Sequence, residues 1–247
     1  MKVSVILPAA GLGTRMKTAA ESTGTSRKQF MQIDGVPVLV HTVRKFVASP
    51  LVTEVVIALR PDDIEWVESL LRPETFSKPV RCVAGGASRQ QSVENALDSL
   101  AADIDVVAVH DAVRPFIAPE TIDAVIRQAA ATGAAIVGIV PVDTVKQMQR
   151  HSVRGTLNRD RLVLAQTPQV FQADLLRRAF AQAREDGFIG TDESSLVERL
   201  ENVEVTVVAG SDRNIKITRP SDIELARLFL AEEKRKAAQK ATSGEPA

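Results

Sequence analysis

Short apolar runs alternate with segments of helical periodicity along most of the chain. Residues 3–7 (VSVIL), 54–59 (EVVIAL), 80–83, 105–110 (DVVAVH) and 135–140 (AIVGIV) read as strands. Residues 38–48, 62–71, 88–100 and 119–132 read as the helices between them, with Pro50 beyond the first and Gly133 at the stop of the last. The strand runs are β-branched and nearly continuous rather than alternating. That is the pattern of parallel strands covered on both faces. Strands and helices alternating at these lengths predict a three-layer α/β/α sandwich.

The pattern changes at Pro141. Residues 141–162 are polar and lack helical periodicity, but 144–148 and 153–157 flank a turn-like HSVRG stretch. A two-stranded arm is expected there. Such an arm has little core of its own and needs a partner surface, so a homodimer joined through 141–162 is expected. Thr167-Pro168-Gln169 reads as a rigid turn. Residues 172–186 then read as a helix stopped by Gly187, 191–200 as a short helix capped by Thr191, 203–208 as a strand and 220–234 as the last helix. One domain over 1–235 is expected, with 236–247 as a flexible tail of small polar residues.

Composition narrows the function. The chain has 247 residues, 45% of them hydrophobic, enough for one sizeable core. Lys+Arg and Asp+Glu both number 31, which argues against a general nucleic-acid binder. There is one Trp and no Tyr, so an aromatic platform for single strands is not expected. No apolar run is long enough to span a bilayer, and Pro8, Gly11 and Gly13 interrupt the N-terminal apolar stretch as no leader would require. Cys82 is the single cysteine, which excludes an intramolecular disulfide and fits a reducing, cytoplasmic setting.

Candidate chemistry lies at the ends of the strands. PAAGLGTRM, Pro8 to Met16, follows the first strand. Ala10, Gly11 and Gly13 let backbone N–H groups approach a phosphate, and Arg15 is spaced to bind one in bidentate fashion. The spacing matches neither a P-loop nor a dinucleotide fingerprint, and a ligand-free tight turn stays open as a reading. The small polar stretch from Lys17 to Lys28 is either a solvated loop or a lid with basic ends. Gly85 and Gly86 precede Ser88-Arg89 in a second backbone pocket. HDAVRP, His110 to Pro115, ends the strongest strand, where open α/β sheets bind ligands. Asp111 suits Mg²⁺ or a sugar hydroxyl and Arg114 a phosphate, whereas His110 reads as a hydrogen-bonded core residue. Lys216 by itself reads as a surface lysine.

Taken together and in order, PAAGLGTRM, RKQF, GG..R..SV, VHDAVRP, PVDTVK, NRDRL, QTPQVF, TDE and NIKITRPSDI resemble the 2-C-methyl-D-erythritol 4-phosphate cytidylyltransferases over residues 3 to about 230. The resemblance implies a Rossmann-like nucleotidyltransferase domain with a β-arm that interlocks two subunits. It implies Mg²⁺-dependent reaction of CTP with methylerythritol 4-phosphate, giving the CDP-alcohol and pyrophosphate. It places Ala10, Gly11, Gly13, Arg15 and Lys28 at the triphosphate, and Gly86, Arg89 and Ser92 at the cytidine. Asp111 and Arg114 map near ribose, metal and second substrate, and Thr144, Arg159, Thr191 and Lys216 beside the methylerythritol phosphate, with Arg159 reaching the neighbouring subunit. Arg15, Lys28 and Lys216 are the expected catalytic cations. Arg27 stands where the family commonly has proline. The alternatives are a ribitol-5-phosphate cytidylyltransferase, which shares the CTP half, a guanylyl- or uridylyltransferase for sugar phosphates, and, in another class, a non-catalytic nucleotide-binding protein.

Overall fold

The computed structural model describes residues 1–11 and 27–243. In chain order the elements are β1 (Val3–Pro8), β2 (Gln32–Ile33), β3 (Val36–Pro37), α1 (Val38–Ala48), β4 (Glu54–Leu59), α2 (Pro61–Leu71), β5 (Val80–Ala84) and α3 (Arg89–Asp98). Then come β6 (Val106–Val109), α4 (Pro119–Thr132), β7 (Ala134–Ile139), β8 (Lys146–Gln149), β9 (Ser152–Thr156), β10 (Leu164–Gln172), α5 (Ala173–Glu185), α6 (Glu193–Val197), β11 (Thr206–Ala209) and α7 (Pro220–Ser243). Helix boundaries follow local chemistry. Pro61 and Pro119 sit at the first turns of α2 and α4, where a missing N–H costs nothing, with acidic residues beside them. α4 stops at Gly133, whose φ of 96° suits a residue without Cβ.

Seven strands form one sheet in the order β11-β7-β10-β6-β1-β4-β5. Along β1 the side chains alternate between two cores. Val3, Val5 and Leu7 face a core shared with α1, α2 and α4, while Ile6 faces the core of α3, α5 and α6. This is the three-layer sandwich. A third cluster, with Ile33, Val38, Phe116, Ile217 and Ile223, seats β2–β3 and the start of α7 against the loop after β6. Among the described residues no helix is long and apolar enough to cross a membrane.

Three expectations change. First, Thr167-Pro168-Gln169 is not a turn: it lies inside β10, which runs antiparallel to β6 and β7 near the middle of an otherwise parallel sheet. Proline has no N–H to give a ladder, but here the β10–β7 pairing skips from Ala165 to Gln169, so Pro168 falls where no rung is made. Second, the cap of α6 is Asp192 rather than Thr191, because the Asp192 carboxylate accepts the Ser195 N–H at 3.1 Å and Ser195 reaches back in a capping box. Third, the last helix does not stop at 234 but continues through the supposed tail to Ser243. Residues 235–243 are mostly Ala, Lys, Arg and Gln with neither Gly nor Pro, good helix formers with no breaker. The arm is a hairpin, β8 paired with β9.

Phe171 of β10 is fully buried in the second core. Phe171→Ala should cost about 3 to 5 kcal/mol of unfolding free energy in urea titration; a loss near zero would contradict β10 as a core strand.

Candidate active site

Four parallel strands, β6, β1, β4 and β5, deliver their carboxyl ends to one edge of the sheet. β4 and β5 lie to one side of β1 and β6 to the other, the strand-order reversal at which α/β sheets open a crevice. A cavity of about 860 Å³ occupies that crevice. Its walls come from the loop after β1 (Ala9, Ala10, Gly11), Arg60 after β4, Gly85 to Arg89 after β5, and Asp111 after β6. Lys28 and Lys216 complete it.

Close approach explains the glycines. A Cβ on Gly85 would stand 2.9 Å from both the Ala10 Cβ and the Ser92 Oγ, and one on Gly86 2.3 Å from the Gln91 Cγ. The chain after β5 therefore touches the loop after β1 only because side chains are missing. Ser92 Oγ then accepts the Gly86 N–H at 3.0 Å, and Gln91 Oε1 accepts the Ala87 N–H at 2.8 Å. From the other wall, Gln29 Nε2 donates to the carbonyls of Ala9 at 2.7 Å and Gly11 at 3.2 Å.

Charge is concentrated on Asp111. Its carboxylate meets Lys216 Nζ at 3.0 Å, Arg114 Nε at 3.2 Å and Arg89 Nη2 at 3.5 Å. Burial opposes ionisation here, but Lys216, Arg89 and Arg114 overcome it and hold the carboxyl well below its ordinary range. Arg89 also grips Glu193 with both nitrogens, at 2.7 and 3.0 Å. Glu193 is 1% exposed, and its burial raises the carboxyl above the usual range against the pull of Arg89.

β10 holds these loops in place. Thr167 Oγ1 accepts the Asp111 N–H at 3.0 Å and lies 3.1 Å from His110 Nδ1. Gln169 accepts from the Ser194 N–H and donates to Asp192, fixing α6 and with it Glu193. Gln166 accepts from Asn214, whose carbonyl takes a 2.7 Å hydrogen bond from Arg114. Ile217 N–H, bonded to the Val113 carbonyl at 2.9 Å, secures the segment that carries Lys216.

A family model described as IspD, 2-C-methyl-D-erythritol 4-phosphate cytidylyltransferase, matches residues 3–232. The chain belongs to the IspD family. Among curated members of the family, a 2-C-methyl-D-erythritol 4-phosphate cytidylyltransferase of Solibacter usitatus is 66% identical over 238 residues, covering 94% of this chain and 97% of the relative. One from Acidobacterium capsulatum is 52% identical, covering 93% and 98%. A crystal structure of 4-diphosphocytidyl-2C-methyl-D-erythritol synthase from Anaerococcus prevotii superposes with TM-score 0.80 at 30% identity, covering 93% of this chain and 96% of that one. The IspD family enzyme of Thermus thermophilus gives TM-score 0.75 at 31% identity, covering 93% and 98%.

This IspD family member brings Ala10, Gly11, Lys28, Gly86, Arg89, Ser92, Asp111 and Lys216 to one cavity. Arg114 stands behind Asp111, bonded to it and to Asn214. Thr191 is exposed and outside the cavity walls, next to the cap of α6. Thr144 and Arg159 lie exposed on the arm, also outside the cavity walls. Gly13, Arg15 and nearly all of the 17–28 stretch lie outside the described residues. Sequence reasoning missed Glu193, Gln29, Arg60 and Gln91. Glu193 was within the quoted TDE motif, but an acidic residue in the first turn of a helix is ordinary, so nothing in the sequence marked it as the partner of Arg89.

His110 is fully buried, with the Phe46 ring 4.7 Å away. Its Nε2 donates to the Arg114 carbonyl at 3.0 Å, which leaves Nδ1 to accept from Thr167. This is a neutral imidazole, and burial pushes its pKa down to about 4. Because the unfolded chain takes up this proton near pH 6.5 and the folded chain does not, stability is untouched above 6.5 and falls as pH drops toward 4. Between pH 6.5 and 5 the loss should be about 2 kcal/mol. Urea unfolding at pH 7.5 and 5.0 checks it: His110→Gln should flatten the difference, and an equally steep variant would contradict the assignment.

Proposed function

We propose that the protein transfers the cytidylyl group of CTP to 2-C-methyl-D-erythritol 4-phosphate, forming 4-(cytidine 5'-diphospho)-2-C-methyl-D-erythritol and pyrophosphate for isoprenoid precursor synthesis. The observation that carries this reading is the convergence of Lys28, the Gly85–Gly86 backbone, Arg89, Asp111 and Lys216 on one cavity in a chain of the IspD family. A phosphate oxygen of the alcohol phosphate attacks the α-phosphorus of CTP in line. The new O–P bond forms as the bond to pyrophosphate breaks. The attacking oxygen is already anionic near neutral pH, so no general base is needed, in keeping with the neutral, buried His110.

The chain's work is placement and charge. Ala10, Gly11, Gly13, Arg15 and Lys28 take the triphosphate, with backbone N–H groups and two cations. Gly86 and Ser92 hold the cytidine beside Arg89. Lys28, Lys216 and Arg15 stabilise the charge that builds on the phosphoryl oxygens in the transition state. Asp111 and Lys216 meet the second substrate from the cavity wall, Arg114 holds Asp111 in place from behind, and Thr191, outside the walls, is assigned to that substrate by the family resemblance alone.

Asp111 is the only carboxylate on the cavity wall among the described residues, and its oxygens already face three cations. Those residues suit a Mg²⁺ that arrives on the triphosphate and touches Asp111, rather than one caged by protein; when bound, the ion would offset phosphate charge and favour pyrophosphate departure.

The arm completes the proposal. Val142, Met148, Val153 and Leu164 are 85, 68, 62 and 52% exposed on or beside a hairpin that has no core of its own. A homodimer joined through 141–162 would cover them and carry Thr144 and Arg159 to a partner's cavity. A reaction that consumes CTP fits a cytoplasmic setting.

Pyrophosphate release with Mg²⁺ and CTP, comparing methylerythritol 4-phosphate with ribitol 5-phosphate, tests the reading. Turnover with the first is expected, and preference for the second would overturn the assigned substrate. Lys216→Ala should lower kcat roughly a hundredfold; single-turnover rates within threefold of the parent would rule out its role at the phosphoryl oxygens.

A further inference from the structure

Arg27 and Lys28 are neighbours in sequence and go to different places. Lys28 lines the cavity, whereas Arg27 does not. Arg27 Nη2 donates to Asp63 Oδ1 at 2.7 Å, and Nη1 donates to Oδ2 of the same carboxylate. Asp63 lies in the first turn of α2 and is 5% exposed. The guanidinium also sits 5.0 Å from the centroid of the Phe30 ring. Phe30 in turn meets Trp66 of α2 edge-on, with centroids 4.7 Å apart. Asp63 and Trp66 are three residues apart on a helix and so share a face.

Between these anchors runs a single helical turn, Lys28–Phe30. One turn does not hold itself, because its hydrogen bonds fix too few residues to repay the ordering. Its two closing bonds are Phe30 N–H to the Arg27 carbonyl at 2.9 Å and Met31 N–H to the Lys28 carbonyl at 3.3 Å. Gln29 ties the turn to the loop after β1. Arg27 ties it to α2.

We propose that Arg27 is a positioning residue for Lys28: its fork on Asp63 and its cation–π contact with Phe30 pin the 28–30 turn to α2, so that Lys28 meets the triphosphate already ordered. The identity of that ligand rests on the function proposed above. Arg27 does not add its own charge to the phosphates, because Asp63 neutralises it. Preordering removes a cost that ligand binding would otherwise bear. Arginine suits the task where lysine would not, since only a planar fork meets both carboxylate oxygens at once.

Calorimetric titration of Arg27→Ala with CTP and with cytidine tests the proposal. CTP affinity should fall roughly tenfold or more while cytidine affinity holds within twofold, because cytidine has no phosphate for Lys28 to reach. Adding Arg27→Ala to Lys28→Ala should cost nothing further in CTP affinity, since Arg27 acts through Lys28. Arg27→Lys should recover only part of the loss. Unchanged CTP affinity, or equal losses for CTP and cytidine, would overturn the assignment and leave Arg27 a purely structural residue.

A second arm needs no ligand. In Asp63→Asn, the amides of Phe30 and Met31 should exchange hydrogen about tenfold faster than in the parent, with the amides of β1 unchanged. Unchanged exchange at Phe30 and Met31 overturns the clamp. A parent protein that fails to bind CTP overturns the proposed function instead, and the exchange result then decides the clamp alone.

Discussion

The ionised carboxylate of Asp111 is the interaction on which the site depends. A carboxylate 7% exposed at a sheet edge would ordinarily take up a proton rather than stay charged without solvent. It stays charged because three cations reach it from three separate parts of the chain, Arg89 from α3, Arg114 from the loop after β6 and Lys216 from the segment after β11. Each cation is in turn held there by Asp111. Buried pairs of this kind add little net stability, but removing one partner strands the other's charge. Their consequence here is geometric: residues more than a hundred positions apart are drawn to a single point.

The backbone that makes this geometry possible is β10. Buried strands are usually apolar, yet Gln166, Thr167 and Gln169 are 6, 5 and 1% exposed. Each uses its polar end on a different piece of the site. Thr167 takes the Asp111 amide, Gln169 takes α6, and Gln166 takes the segment around Asn214. A half-satisfied polar strand would be worse than an apolar one, so the side-chain hydrogen bonds are what allow it in the middle of the sheet. The neutral tautomer of His110 belongs to the same network, since the Thr167 hydroxyl gives its one proton to His110 Nδ1 while its oxygen receives the Asp111 N–H.

Much of this was legible in the sequence, and the parts that were not share a cause. β-branched runs and the Pro and Gly punctuation located α1, β4 and α4 to the residue. The family motifs led to the cavity, where a Cβ on Gly85 would come within 2.9 Å of Ala10 and Ser92 and one on Gly86 would displace the Gln91 side chain. What local pattern could not give was β10, whose glutamines and proline imitate a turn until the partners of each side chain are known. Glu193 was hidden for the same reason. Its neighbours in TDE carry ordinary capping chemistry, and only the fold reveals Arg89 opposite it. The extension of α7 had a local signal, an Ala- and Lys-rich stretch without breakers, which small-residue content outweighed. Periodicity reports which face is buried; it is silent on a buried polar group whose partner lies elsewhere.

The charge arrangement also explains how a cavity can favour polyphosphate without a basic protein. Asp111 faces Arg89, Arg114 and Lys216, and Glu193 faces Arg89, so a few buried acidic groups, rather than a basic surface, hold the cations of this cluster. Lys28 and Arg60 stand on the cavity wall apart from it. The two carboxylates order the cations before any ligand arrives: Glu193 holds Arg89 from outside the cavity wall, and Asp111 holds Arg89, Arg114 and Lys216 from the wall itself. A phosphate entering the cavity meets the cations already in place. In the proposed function it would compete with Asp111 for Lys216, the most exposed of the three at 44%. Arg89 and Arg114, more deeply held at 31 and 12%, remain as the fixed frame. One half-exposed cation beside two more deeply held ones is an arrangement suited to stabilising charge that appears only as the phosphoryl group transfers.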